Sequence, residues 1–188
     1  MTFVYHGIGS RELKAAKEIA TAAGVEEHRF VRLPDLREAG DIRSDSLAGK
    51  PSAYIPGRNG IFYSLAASYA EEVGADLIVG GHNKDDVRLF EDASPTFFLL
   101  LQHALRSGSP TLRKRRTRIS LPLSKMTKAE VVKLASSMKV PLGLTWSCHR
   151  NGRAHCWDCE GCKARAAAFA RARVPDPLRA TVNLGKIQ

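Results

Sequence analysis

The chain has 188 residues, 44% hydrophobic and 26% charged, enough to bury the core of one globular domain with a small appendage. No apolar run reaches membrane-spanning length and the N-terminus lacks signal-peptide order, so a soluble, cytoplasmic protein with no membrane partner is expected. A net charge of +10, from 29 basic and 19 acidic residues, calls for an anionic partner: nucleic acid, nucleotide phosphates or an anionic small molecule.

In chain order, Thr2-Phe3-Val4-Tyr5 is a β-branched and aromatic run that predicts a strand. Ser10 is placed to cap a helix reaching Ala23, with Leu13, Ala16, Ile19 and Ala20 on one face and Gly24 as its stop. A second strand is expected over 28–33. Residues 34–51 are polar and without periodicity, which predicts a mobile connection. Tyr54-Ile55-Pro56-Gly57-Arg58-Asn59 leads into a helix over 60–73, with Ile61, Leu65, Ala66 and Tyr69 as its buried stripe. Residues 76–79 (DLIV) predict a buried strand running out into Gly80-Gly81-His82-Asn83-Lys84-Asp85-Asp86. A glycine pair followed by polar groups at a strand's carboxyl end is where open α/β sheets place ligands, although many such loops look alike.

Ser94 and Pro95 open another helix through Phe98, Leu101 and Leu105, and residues 116–121 predict a strand. Thr127-Lys128-Ala129-Glu130 is a capping box for a helix ending near Met138, and an Ala/Arg-rich helix is expected over 163–173. The alternation of strand and helix implies a parallel, three-layer α/β sandwich.

All four cysteines fall between residues 148 and 162, spaced C-x7-C-x2-C-x2-C at Cys148, Cys156, Cys159 and Cys162. Four soft donors this close can converge on one ion. Zn²⁺ is the first reading; an iron–sulfur cluster, and cysteines unligated or paired as disulfides, are the others. With all four thiols committed the site is closed and structural. His149 and His155 beside it read as solvated histidines or as donors behind the ligands. Arg113-Lys114-Arg115-Arg116, with Arg118, form the densest basic run, and Lys163, Arg165, Arg171, Arg173 and Arg179 a second. Neither is interleaved with aromatic residues, so a solvated face is favoured over nucleic-acid binding.

Taken together, YIPGRN with its helix, GADLIVGGHNKDD, the helix from Lys125 to Leu134 and TWSCHRNGRAHCWDCEGC make the chain similar to the 7-cyano-7-deazaguanine synthases, the QueC family of the PP-loop ATP pyrophosphatases. The resemblance runs from about Tyr5 to Phe169. It implies a Rossmann-like (adenine nucleotide alpha hydrolase-like) domain over 1–140, a four-cysteine zinc-binding helical lobe over 141–188, and a homodimer. The implied reaction is ATP-dependent conversion of 7-carboxy-7-deazaguanine and ammonia to 7-cyano-7-deazaguanine, on the route to queuosine or archaeosine in tRNA. Zn²⁺, ATP and Mg²⁺ are the implied cofactor and co-reactants. Arg58 and Asn59 suit an anionic or purine-like ligand, and Asn83 with Asp85 or Asp86 suits the donor edge of a deazaguanine or Mg²⁺. The bland alternatives are a surface charge at Arg58, a helix cap at Asn59 and helix-start carboxylates at Asp85 and Asp86. No catalytic role is assigned to His82.

One departure stands out. The family's first strand leads into a Ser-Gly-Gly-x-Asp-Ser loop that cradles ATP phosphates, and no Ser-Gly-Gly run occurs here. Met1 falls where the second strand would lie, so roughly thirty residues, one strand–loop–helix unit, are expected to be missing. A start assigned downstream of the true one, a partner chain that supplies the unit, and a degenerate homologue that binds without turnover are the competing accounts. On any of them the 188-residue chain alone is expected to have negligible ATP pyrophosphatase activity. A zinc-containing tRNA-binding module is the alternative from another class. A thiolation enzyme is disfavoured, because no cysteine lies outside the cluster.

Overall fold

The computed structural model describes residues 1–42, 44–50, 54–150 and 152–179, and its strands pair in parallel. The chain forms two compact units, one of residues 1–33 with 128–188 and the other of residues 34–127. No helix among the described residues is long and apolar enough to cross a membrane.

In the first unit, β1 (Thr2–Tyr5) and β2 (Phe30–Leu33) run in register from Thr2 opposite Phe30 to Tyr5 opposite Leu33, with α1 (Ser10–Ala22) as the crossover between them. Gly9 rather than Ser10 occupies the cap position of α1. Ser10 already has helical backbone, because a tight turn from Tyr5 to Ile8 brings the helix in one residue early. Gly24, at φ +64°, takes the left-handed conformation that ends the helix as predicted. α6 (Lys128–Ser137) packs on α7 (Glu160–Ala172), whose buried residues Cys162, Arg165, Ala168 and Phe169 recur at helical spacing.

The second unit begins with two short 3₁₀ turns, Ala39–Asp41 and Asp45–Leu47, within the segment expected to be irregular; Pro51 lies outside the described residues. There follow α2 (Arg58–Val73), β3 (Leu77–Val79), α3 (Lys84–Leu89), α4 (Pro95–Gly108), α5 (Pro110–Arg115) and β4 (Arg118–Ser120). β3 pairs with β4 from Leu77 opposite Arg118 to Val79 opposite Ser120. The side-chain amide of Gln102 accepts from Ile119 N–H at 2.8 Å, satisfying a β4 donor from α4.

Two expectations about burial are corrected. The buried face of α2 is Asn59, Tyr63, Ala67 and Ala70, and Ile61 is 39% exposed. Small alanines let the helix approach its neighbours, and Tyr63 packs on Phe98 with ring centroids 4.4 Å apart, so steric fit outweighs the more apolar stripe. β3 is not a buried strand either: Leu77 is 46% and Val79 62% exposed, while Ile78 between them is half-buried. This is the two-residue alternation of a strand covered on one face. The Ser94 hydroxyl accepts from Phe97 N–H and Pro95 takes the first helical position, as expected. The same device repeats at Ser109 and Pro110, starting α5, where the sequence reading saw only a charged run.

Candidate metal centre and predicted substrate residues

The four cysteines converge. Their sulfurs all lie within 4.8 Å of one another, with Cys156 to Cys162 at 3.9 Å and Cys148 to Cys159 at 4.0 Å. A tetrahedral zinc with Zn–S bonds of about 2.3 Å separates its sulfurs by about 3.8 Å, so the set can hold one such ion. All four thiols are free.

Local backbone builds the cluster. Trp157, between Cys156 and Cys159, adopts a left-handed φ of +59°, uncommon outside glycine, at a turn whose Asp158 and Cys159 N–H groups bond the Cys156 sulfur. These N–H groups pull the Cys156 thiol down to about 6. Burial pushes Cys162 up to about 12, so a bound cation is what would keep this sulfur a thiolate near neutral pH. At Cys159 burial acts upward, but the N–H groups of His149 and Cys162 outweigh it and the thiol is lowered. Arg150 N–H points at Cys148 at 3.4 Å. The glycine in Cys159-Glu160-Gly161-Cys162 is a packing requirement: a Cβ on Gly161 would collide with the Ser147 carbonyl and meet His149 Nε2 at 2.8 Å.

Behind the sulfurs stands a buried ion pair. Arg165 binds Asp176 through two bonds of 2.7 and 2.8 Å, donates to Thr145 Oγ1 at 2.6 Å and the Leu142 carbonyl at 3.2 Å, and lies over the Phe169 ring. Burial alone would raise Asp176, but the hydrogen bonds and charge of Arg165 and the Leu178 N–H hold it below the usual carboxylate range. His155 is not a solvated histidine. Buried, with Trp146 and Trp157 as ring neighbours, it accepts from Ser147 N–H at Nε2 over 3.1 Å. Burial and then the Arg165 charge lower its pKa, preserving the neutral ring that this acceptor role needs. His149 is exposed and contributes its backbone N–H to the Cys159 sulfur. Asp158, between Cys156 and Cys159, bridges Arg150 and Lys163 at 3.0 and 3.2 Å on the surface.

The predicted substrate residues lie in the second unit at the starts of α2 and α3. Asn59 is buried and engaged with Asp92: its backbone N–H meets the carboxylate at 3.3 Å and its Nδ2 the carbonyl at 3.0 Å. Asn83 is also buried and caps α3, accepting from Asp85 and Asp86 N–H through Oδ1 while its Nδ2 donates to Asp86 at 2.7 Å. Both amides are thus engaged within the chain. Arg58 and Asp85 are half-buried. His82 sits against Tyr63 and Phe98, ring centroids 5.8 and 5.0 Å away; burial lowers its pKa, with Asp86, Arg58 and Asp92 as the charges it feels. Asp92, the partner of Asn59, was not singled out from sequence; an acid in the pair Glu91-Asp92 ahead of a helix gives no signal of its own. In the basic run, Arg115 binds Asp76 at 3.0 Å and the Gly74 carbonyl, while Arg113, Lys114 and Arg116 are exposed.

A parallel α/β chain with a preformed four-sulfur cage defines the class. Within that class, a family model described as queuosine biosynthesis protein QueC matches residues 1–173, and the chain belongs to that family. Among its relatives is the 7-cyano-7-deazaguanine synthase of Trichodesmium erythraeum, 36% identical over 193 residues that cover 95% of this chain and 86% of that protein. The enzymes of the same name from Oceanobacillus iheyensis and Thermoplasma acidophilum are each 33% identical, over 95% of this chain and 85% and 79% of those proteins.

Proposed function

We propose that the chain, completed by a strand–loop–helix unit that cradles ATP phosphates, serves the ATP-dependent conversion of 7-carboxy-7-deazaguanine and ammonia to 7-cyano-7-deazaguanine, in the reducing cytoplasm where free thiols persist. The observation that carries this reading is the family match across residues 1–173. A carboxylate is a poor electrophile; transfer of adenylate from ATP to its oxygen, with release of pyrophosphate, creates a leaving group, and attack by ammonia expels AMP and gives the amide. A second ATP adenylates the amide oxygen, again releasing pyrophosphate, and departure of that oxygen as AMP with loss of both N–H protons gives the nitrile. The protein's task is to hold the anions and exclude water. Arg58 is the residue we assign to an anionic group of the reactants, and Asp85 to Mg²⁺.

The fold we propose is the Rossmann-like one of the PP-loop enzymes, whose parallel strands are joined through helical crossovers as β1 and β2 are through α1. In the four-cysteine lobe, over 141–188, we assign Zn²⁺ to Cys148, Cys156, Cys159 and Cys162. The short sulfur separations support a single ion over a cubane, which would set four irons between the thiolates. Zinc supplies no chemistry in this reading; it fixes the lobe.

The 188 residues contain no Ser-Gly-Gly run, and we expect them alone to release negligible AMP. The test joins a family strand–Ser-Gly-Gly-x-Asp-Ser–helix unit ahead of Thr2 and follows product by mass spectrometry. The fusion is expected to form the nitrile from 7-carboxy-7-deazaguanine, ATP and ammonia. AMP release without nitrile would sink the substrate assignment, and robust AMP release by the unfused chain would refute the need for the loop.

A further inference from the structure

Beside the four-sulfur cage, within the first unit, lies a cavity of about 250 Å³. It is walled by Trp146, His155 and Trp157, with Arg11, Glu18 and Arg153 among its polar lining. We propose that this cavity is the seat of the carboxylated deazaguanine, with its rings against the face formed by Trp146, His155 and Trp157, Arg11 and Arg153 on its carboxylate and Glu18 on its guanine-type donor edge. The proposal rests on the reaction proposed above.

Size, charge and polarity each narrow the ligand. The volume falls just below the roughly 300–1,000 Å³ of drug-sized sites, which suits a bare bicyclic base better than a whole nucleotide with ribose and phosphates. Arg11 and Arg153 have no carboxylate partner among the described residues, so two guanidinium groups are available to one anionic substituent. Glu18 has only Lys14, one helical turn away on α1 at 3.5 Å, in a solvent-exposed pair that a better partner can displace. A carboxylate accepts two bonds from the N1–H and 2-amino group of a guanine-type edge, whereas the bare N1 of adenine would face it with a lone pair.

The cage also braces the walls. Trp146 Nε1–H donates to the Cys148 carbonyl at 2.8 Å, and Trp157 lies between Cys156 and Cys159 with the Arg179 guanidinium 4.9 Å from its ring centre. Assembly of the four sulfurs thereby sets the indole positions. This gives the metal centre a task toward substrate without contact between them.

The chain has two tryptophans, and both line the cavity, so its tryptophan emission, excited selectively over tyrosine, reports on this place. The zinc-loaded chain is titrated with 7-carboxy-7-deazaguanine, with AMP as comparator, by fluorescence and in parallel by calorimetry. Saturable quenching is expected, with AMP at least about tenfold weaker. Arg153→Met and Glu18→Gln are each expected to weaken binding by about tenfold or more, the loss of one charge-assisted hydrogen bond, at unchanged zinc content. Binding seen by calorimetry but left intact by both substitutions would put the substrate elsewhere and overturn the cavity assignment while leaving the reaction standing. AMP binding as tightly as the deazaguanine would overturn it in favour of a nucleotide. No binding, in this chain or in the loop fusion, would remove both the cavity assignment and the reaction.

Discussion

The four-cysteine segment and the helix starts at Arg58 and Asn83 were both marked by their residue types, yet the two regions turn out differently. Cys148 to Cys162 need only fifteen residues of local backbone to bring four donors together, and their sulfurs converge as the spacing predicts. Asn59 takes its role from a partner outside its motif, Asp92, thirty-three residues on, while Asn83 serves the first turn of α3 two and three residues away. A motif whose members serve each other can be read from spacing. A polar residue that serves an unknown partner cannot.

The largest effect should come from dismantling the cage. Cys162→Ser, or chelation of the ion, is expected to lower zinc from about one per chain to near zero and to unfold the lobe, because the binding energy of a structural zinc is folding energy. Tryptophan emission would shift red as the walls around His155 come apart. Retention of the native emission and thermal midpoint without metal would show that packing alone holds the lobe.

Next comes the ion pair behind the cage. Asp176→Asn leaves the buried Arg165 without its counter-charge and should cost about 3–5 kcal/mol, measured by urea unfolding of the zinc-loaded chain. The pH dependence has a fixed sign. Asp176 is held below its unfolded value of about 3.9, so its contribution is fully present above that pH and is lost as pH falls through the lower folded value. The stability gap between wild type and Asp176→Asn should therefore be constant from pH 7 to about 5 and close below about 4. Zinc release on acidification affects both proteins and cancels in the difference. A gap that widens as pH falls below about 6.5 would point to His155 instead, whose pKa burial and Arg165 lower and the Asp176 carboxylate raises.

The same contrast explains what could be read from the sequence. β1 was placed to the residue, the Ser94-Pro95 helix start was right, and both strand pairs are parallel as the strand–helix alternation required. These depend on neighbours within a few positions. The buried face of α2 was misjudged because hydrophobicity favoured Ile61 and Leu65, whereas close approach favoured the alanines and Tyr63. The start of α5 was legible, since Ser109-Pro110 repeats Ser94-Pro95, but the charge of the following run drew the reading away from it. Arg165 and Asp176 were unreadable as a pair: an arginine in a basic stretch and an acid beyond a helix end show no sign of burial until the chain folds back.

A smaller effect tests the second unit's packing. Gly80, at the mouth of the glycine-pair loop, has no room for a side chain: its Cβ would overlap the Tyr63 hydroxyl and stand 2.8 Å from Leu121 Cδ2. Gly80→Ala should cost about 1–3 kcal/mol by overpacking, and Tyr63→Phe in the same chain should restore part of it by removing the colliding oxygen, the ring carbon and Leu121 remaining close. If the double variant is no better than the sum of the two, the glycine serves the backbone or a ligand and not the tyrosine.

The smallest effect bears directly on whether Asn83 is structural. Its Oδ1 accepts from two backbone N–H groups at the start of α3, so Asn83→Ala should cost about 1 kcal/mol, and Asn83→Ser, which keeps an acceptor at the cap, should recover most of that. Neither change should alter the affinity for 7-carboxy-7-deazaguanine beyond the stability loss, because the amide is already occupied: Oδ1 by Asp85 and Asp86 N–H, Nδ2 by the Asp86 carboxylate. Binding and stability are thus measured on the same two variants. Should the serine variant regain stability yet bind substrate tenfold more weakly, Asn83 would belong to the reactants, as its place after the glycine pair suggested. Equal recovery of both would leave the loop as scaffold.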